Sequence, residues 1–403
     1  MSMDGQFDVV VVGDGPAGLL AALLLARSGL RTAIIGRTAG DGGTAPRLPV
    51  DSRTTALMQG SIRLLDDLEL WPRLRADAAP LWRLRLVDDT GGPIAAPTGE
   101  FDARELGDEP FAWNIPNDRL STALREALRS CPTATVIACP GGAQAVIVAR
   151  DHATVETGDG TRFDASLLVA ADGVESITRE AAEIRTIEWE YGQTAVVATF
   201  SHEGSHGDTS IEFHRSEGPF TLVPLPGNRS SLIWVMPPNA AREVMRLPTR
   251  EFETRIEALS HGVRGRIRDS AGRARFATRA MLARTFAHRR VALVGEAAHV
   301  LPPIGAQGLN LGFRDAACIA ELAGNAFATG RDIGGADVLA AYDRARRADV
   351  LPRGFAVDLL NRSLMPRALP LRALRGLGLA VVDQVGPLRR ALMRQGLGPD
   401  LFA

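Results

Sequence analysis

The sequence predicts an α/β protein: a parallel central sheet, a second mixed or antiparallel sheet, and helices at the C-terminal end. Three observations predict it. The chain opens on a four-valine run, residues 9–12, that breaks at a glycine-rich turn and resumes as an apolar helical stretch. Two further apolar runs, 166–171 and 291–294, each deliver a glycine-bearing loop, as buried parallel strands do at the edge where ligands sit. Between them, residues 183–278 change texture to strand-like pieces broken by Gly, Pro and Asn.

Length and composition narrow the function classes. At 403 residues, 45% of them hydrophobic, the chain exceeds the about 250–300 residues at which one core stops growing, so two packed domains are expected. Lys+Arg number 46 against 47 Asp+Glu, so no basic field draws the protein to nucleic acid. None of the 46 basic residues is lysine, which excludes lysine Schiff-base chemistry and the P-loop. Cys131, Cys139 and Cys318 form no CxxC pair. Neither a disulfide framework nor a metal site is expected, and a reducing cytoplasm is.

Residues 9–26 approach a membrane span in length, but Gly13, Asp14, Gly15 and Pro16 divide them into strand, turn and helix. No basic leader or small-residue cleavage site marks a secretory signal, so a soluble or peripheral protein is expected. The turn reads GxGxxG. Gly13 permits the bend, Gly15 lets backbone approach a pyrophosphate, and Gly18 lets the helix pack closely, while the free N–H groups at the helix start, beyond Pro16, face the anion. A Rossmann-like dinucleotide site is expected. The second strand, 31–35, should end in an acid that holds the adenosine ribose. Gly36 stands there instead, followed by Arg37, a pair that taken alone suggests NADP. A looser GxGxxA match at 40–45 precedes Pro46 and no apolar helix, so a loop is expected there.

Residues 145–149, 154–157 and 161–163 read as a small meander with a hairpin at Asp159-Gly160. The following run, 166–171, carries Asp172-Gly173 to the sheet edge. The second sheet is expected from 194–200, 210–214, 220–225 and 231–236, with strands added from 80–95. Both domains are then discontinuous: 1–72, 101–182 and 280–345 in the nucleotide domain, 73–100 and 183–279 in the second, and 346–403 as a helical end. After 291–294 comes GEAAHVLPPIGAQGLN. A helix starting near Gly308 points its dipole at an electron-rich ring, prolines 302 and 303 stiffen the loop, and Gly305 and Gly308 leave room for a flat ligand.

In these motifs the chain resembles the single-component FAD-dependent aromatic hydroxylases, the group of p-hydroxybenzoate hydroxylase. GDGPAG at 13–18, Asp172-Gly173 with Ser176 and Arg179, and residues 295–315 carry the resemblance. Within the group it is most similar to the ubiquinone-biosynthesis hydroxylases, through 51–57, 117–120 and 218–224. The resemblance implies an FAD-binding domain of the glutathione-reductase type, with the second sheet as substrate domain. It places Gly13, Gly15, Pro16, Ala17 and Gly18 on the FAD pyrophosphate, and Arg53 and Asn117 along its phosphate and ribityl side. Arg37 joins the cofactor-binding set. Asp172 and Gly173 serve FAD and a passing NADH or NADPH, Glu296 holds the ribityl or pyrophosphate region, and Gly305, Gln307, Gly308, Leu309 and Asn310 line the flavin. Two departures stand out: Gly36 replaces the usual acid, and Glu296 the usual Asp.

The reaction implied is NAD(P)H reduction of flavin, O2 addition to a C4a-hydroperoxide, and oxygen transfer to the ring of a polyprenyl-phenol ubiquinone precursor. The alternatives are a small soluble aromatic, a non-catalytic flavin-fold scaffold, and, from Gly36-Arg37, a plain NADP dehydrogenase. The site must be dry, between flavin loop and second sheet. Pro303 should bring backbone beside the reacting ring. His299 is either a proton relay or a packed, hydrogen-bonded histidine. Phe220, Leu222, Pro224 and Trp234 are either the apolar substrate wall or simple core. Leu374, Leu377, Val381, Val385, Leu388 and Leu392 recur at helical spacing among arginines. That segment either lies on an inner membrane face or a biosynthetic complex, or caps the domain.

Overall fold

The computed structural model describes residues 5–37, 53–91, 98–139, 141–303 and 305–364. The first sheet runs in the order Ala134–Ala138, Thr32–Gly36, Gly5–Val12, Arg162–Ala170, Val291–Leu293, all parallel, with Ala287–His288 antiparallel at the edge. Val9, Val10, Val11 and Val12 are buried at its centre, as expected of a strand covered on both faces. Helix Pro16–Arg27, apolar nearly all round, packs against helices Asn117–Arg129 and Gln307–Ala328.

Strand Arg162–Ala170 is continuous, where the sequence suggests two pieces. Its first half pairs with Ala153–Thr157 and its last residues, 168–170, with Val291–Leu293. The polar interruption at Asp164 is accommodated because its carboxylate accepts the Thr154 hydroxyl across the ladder.

The second sheet has the order His299–Val300, Ile267–Ala283, Thr186–His202, Arg229–Met236, Gly218–Leu225, Thr209–Arg215, Arg83–Asp88, Gly99–Asp102. Its two longest strands are 17 residues each: Thr186–His202 outruns the expected 194–200, Ile267–Ala283 is not among the expected strands, and bulges shift the register between the two. Helices Pro238–Arg246 and Thr249–Leu259, absent from the sequence expectation, cover one face with Ala241, Val244, Phe252 and Ile256. Their apolar spacing of three and four, with Pro238 at a helix start, is the signal that was available.

A third, three-stranded sheet joins Thr54–Met58, Ala112–Pro116 and Ala79–Leu81. It ties to the second sheet where Thr54 Oγ1 donates to Ser231 Oγ at 2.9 Å and Asn114 Nδ2 donates to the Pro224 carbonyl at 2.8 Å. Helix Ala336–Leu364 runs unbroken through residue 345, where the sequence expectation divides a domain from the helical end. No helix among the described residues is long and apolar enough to cross a membrane. The basic amphipathic segment beyond residue 370 and the glycine run at 40–45 lie outside the described residues.

Candidate functional site

The GxGxxG turn separates its glycines by what each excludes. Gly13 has φ +110°, and a β-carbon there would lie 2.2 Å from the Ala171 carbonyl oxygen. At Gly18 it would lie 2.1 Å from the Gly13 oxygen. At Gly15 it would meet nothing within 4 Å. The fold itself therefore requires Gly13 and Gly18, whereas the space over Gly15 is open to a ligand. Helix Pro16–Arg27 begins there with Pro16 in its first turn and no side-chain cap, leaving helix-start N–H groups available to an anion.

The three glycine motifs meet. A β-carbon on Gly312 would sit 3.2 Å from both the Ala17 methyl and the Gly295 Cα. One on Gly295, which has φ +62°, would sit 3.4 Å from that methyl. Ala171 lies against Gly13 and Gly18, and Arg179 bolts its loop to the third motif by donating to the Ala297 carbonyl at 3.0 Å and the Val174 carbonyl at 2.7 Å. Around this cluster Gly173 (φ +84°) and Gly308, like Gly15, present bare backbone to open space. Such surfaces fit an extended, flat dinucleotide that touches backbone along its length.

Among the expected cofactor residues, Arg53 and Asn117 are brought together: the Asn117 N–H donates to the Arg53 carbonyl at 3.0 Å, and Asn117 Oδ1 accepts Thr55 Oγ1 at 2.7 Å. The Arg53 guanidinium lies over the Phe276 ring, 5.4 Å from its centroid. Glu296, Pro303, Gly305 and Gly308 are exposed, Leu309 is half-buried, and Gln307 Nε2 donates to the Gly305 carbonyl at 3.2 Å. Arg37 is exposed with its stem over Gly142. The Asp172 carboxylate accepts Ser176 Oγ at 2.5 Å and the Thr178 N–H and Oγ1 at 3.1 and 2.9 Å, so it builds the loop that presents Gly173.

The Asn310 side chain is fully engaged within the protein. Its Oδ1 accepts the Met58 N–H at 2.9 Å and Ser61 Oγ at 2.7 Å, while Nδ2 donates to the Ala56 and Ala306 carbonyls at 2.9 and 2.7 Å. Two donors and two acceptor sites exhaust an amide side chain. Asn310 thus clamps the start of helix Gln307–Ala328 to the third sheet, and its side chain has none left for a ring. Asn310→Ala is expected to lower the apoprotein's stability by about 1–3 kcal/mol through the unsatisfied groups it leaves, read as a fall in Tm. Loss of cofactor affinity with an unchanged apoprotein Tm would return Asn310 to the cofactor.

The His299 side chain is likewise engaged. It is fully buried and its Nε2 donates to Asp315 Oδ2 at 2.7 Å. The same carboxylate accepts the Gly295 N–H at 2.9 Å and Arg346 Nε at 2.6 Å. Burial alone would raise the Asp315 pKa, but the adjacent His299 and Arg346 charges and these hydrogen bonds outweigh it and hold it below the usual carboxylate range. His299 is the packed histidine, buttressing the loop from below. Both tyrosine hydroxyls are engaged by protein acceptors. Tyr342 donates to the Leu293 carbonyl at 2.6 Å. Tyr191 donates to Asp358 at 2.7 Å, and burial together with that carboxylate pushes its pKa up to about 12.

Of the two readings of Phe220, Leu222, Pro224 and Trp234, substrate wall or core, the packing fits core. Phe220, Leu222 and Trp234 pack with Phe200, Phe213, Val244, Phe252 and Ile256 under the two covering helices, and Pro224, of the same parity, is buried. A strand alternates faces with period two, so the opposite face belongs to Val223 and Ile233, which meet Leu81, Ala112 and Ala56 of the third sheet. By the same register Phe276, 41% exposed beneath Arg53, shares that face. Alternation identifies two faces from sequence; only the helices decide which is covered.

Residues 6–350 match the family model described as FAD binding domain. The chain belongs to this family. It is 34% identical over 400 residues to the ubiquinone hydroxylase UbiL of Rhodospirillum rubrum, spanning 98% of this chain and 91% of that protein. It is 29% identical over 392 residues to the 3-demethoxyubiquinol 3-hydroxylase of Escherichia coli, spanning 97% and 98% respectively. In fold it is similar to the p-nitrophenol 4-monooxygenase PnpA of Pseudomonas putida, with a TM-score of 0.79 and 21% identity over 98% of this chain and 99% of that one. With these relatives, the family match makes the chain an FAD-dependent monooxygenase, as its sequence resemblance implies.

Proposed function

We propose that this protein hydroxylates the aromatic ring of a polyprenylated phenol on the route to ubiquinone, consuming O2 and NADH or NADPH. Each turnover adds one oxygen atom to a ring C–H and releases the other as water, with NAD(P)H supplying two electrons. The observation that carries the reading is the contact among Ala17, Gly295 and Gly312, which sets the pyrophosphate turn and the second glycine loop side by side. The names of the two hydroxylase relatives support the substrate class.

Bound FAD supplies the redox chemistry, accepting electrons from the nicotinamide and activating O2. The chain supplies position and dryness. Backbone at Gly13, Gly15 and Gly18 with the first turn of helix Pro16–Arg27 binds the pyrophosphate; Arg53, Asn117, Gly173 and Glu296 flank the ribityl chain. The positive end of helix Gln307–Ala328 orients the electron-rich edge of the ring system at Gly305–Gly308. Phe276, exposed beneath Arg53, supplies an apolar surface on the second sheet, and Pro303 places backbone near the reacting ring. The first sheet acts as the cofactor domain and the second as the substrate domain. Among the described residues one complete dinucleotide turn is present, and on this reading the nicotinamide nucleotide binds transiently in a groove.

The test is mass spectrometry of quinone intermediates in cells lacking this protein, paired with turnover of the purified holoenzyme under 18O2. Accumulation of a precursor short of one hydroxyl, and a single 18O in the product, are expected. An unaltered quinone pool contradicts the substrate, and a product without label contradicts the reaction.

A further inference from the structure

Gly36 ends the second strand where a dinucleotide-binding sheet ordinarily carries the acid that accepts the adenosine ribose hydroxyls. Its surroundings explain why no side chain stands there. A β-carbon on Gly36 would lie 2.4 Å from Cγ, 2.5 Å from Cβ and 2.6 Å from Oδ2 of Asp14. The Asp14 side chain therefore occupies the space an acid at position 36 would enter. The ladder enforces this proximity: Val12 is in register with Ile35, and the Gly13 N–H donates to the Ile35 carbonyl at 2.9 Å. The acid has moved from the end of the second strand to the turn after the first.

We propose that the Asp14 carboxylate accepts the hydroxyl hydrogen bonds of the FAD adenosine ribose, replacing the acid that Gly36 lacks. The inference rests on FAD being the bound nucleotide. A carboxylate only accepts and ribose hydroxyls donate, so the chemistry matches. The side chain is 17% exposed, and Arg125 Nη2 stands 3.6 Å from its Oδ2, offsetting the negative charge so close to a pyrophosphate. The same carboxylate repels a 2′-phosphate, which answers the NADP reading invited by Gly36 and Arg37.

The test titrates apoprotein with FAD and with an analogue lacking both the 2′ and 3′ hydroxyls of the adenosine ribose, followed by flavin fluorescence. Hydrogen bonds to a charged group favour FAD over the analogue by about tenfold to a hundredfold in the wild type. Asp14→Ala is expected to bind the two alike. Asp14→Gly combined with Gly36→Glu is expected to recover the preference; glycine is needed at 14 because the Asp14 Cβ itself lies 2.5 Å from the new β-carbon. A wild type without preference, or an undiminished preference in Asp14→Ala, overturns the proposal and leaves FAD binding intact. If Asp14→Ala binds neither nucleotide, recovery in the double variant supports the proposal and its absence overturns it. A wild type that binds neither defeats the cofactor reading as well.

Discussion

Gly18→Ala is expected to abolish FAD retention and destabilise the apoprotein, whereas Gly15→Ala is expected to weaken FAD binding while the apoprotein becomes slightly more stable than the wild type. The new methyl at position 18 would lie 2.1 Å from the Gly13 carbonyl oxygen. That contact is backbone, so the helix must shift off the sheet, with a cost of about 1–3 kcal/mol or more. Gly15 has φ −70° and ψ 169°, which alanine adopts without strain, and nothing within 4 Å meets its β-carbon. Reduced chain entropy in the unfolded state raises stability there by about 0.4–1 kcal/mol, while overpacking against the pyrophosphate weakens FAD by roughly tenfold to a hundredfold. Thermal melts of both apoproteins, with FAD titrations, check this. Equal destabilisation by the two variants would mean that the space over Gly15 is not a ligand surface.

Removing the Asp315 carboxylate is expected to be the costliest change beneath the flavin loop. Asp315 joins His299, the Gly295 N–H and Arg346, and Arg346 continues to Asp349 at 2.9 Å, which pairs with Arg314 at 2.7 Å. Asp315→Ala leaves the buried Arg346 with Asp349 as its remaining carboxylate and takes away the partner of buried His299, a loss of about 3–5 kcal/mol. The same network sets an acid limit. Burial would raise the pKa values of both Asp315 and Asp349, but for Asp315 the His299 and Arg346 charges prevail, and for Asp349 the hydrogen bond from Arg314 and the charge of Arg346. Both are held low. A carboxylate whose folded pKa is depressed stabilises the fold fully above its unfolded value of about 3.9 and loses that contribution as pH falls toward the folded value. Wild-type Tm should therefore drop steeply below about pH 4, and Asp315→Asn should start lower and fall less steeply. Parallel Tm–pH curves would remove this network from the acid response.

Much of this was legible in the residues because special backbone demands special side chains. Gly13 and Gly18 are dictated by contacts to carbonyl oxygens, and the valine run at 9–12 by burial on both faces. What escaped the sequence depends on three-dimensional partners. The parity of Phe220, Leu222 and Trp234 was readable, but which face the helices at 238–246 and 249–259 cover was not. Asn310 and His299 sit in a motif and look like site residues, yet Asn310 bonds Met58 and Ser61, distant in sequence, and His299 bonds Asp315 at the far end of the same motif. Gly36 lacks the usual acid, and only the fold shows that Asp14 fills the space beside it.

The central claim is that the turn at Gly15 and the loop at Gly308 hold opposite ends of one FAD. A crystal structure of the protein purified with its flavin tests this most directly. The account predicts a single FAD with its pyrophosphate over Gly15 and the start of helix Pro16–Arg27 and its ring system against residues 305–308. A flavin ring placed away from that loop, or two separate nucleotides at the two glycine clusters, would contradict it.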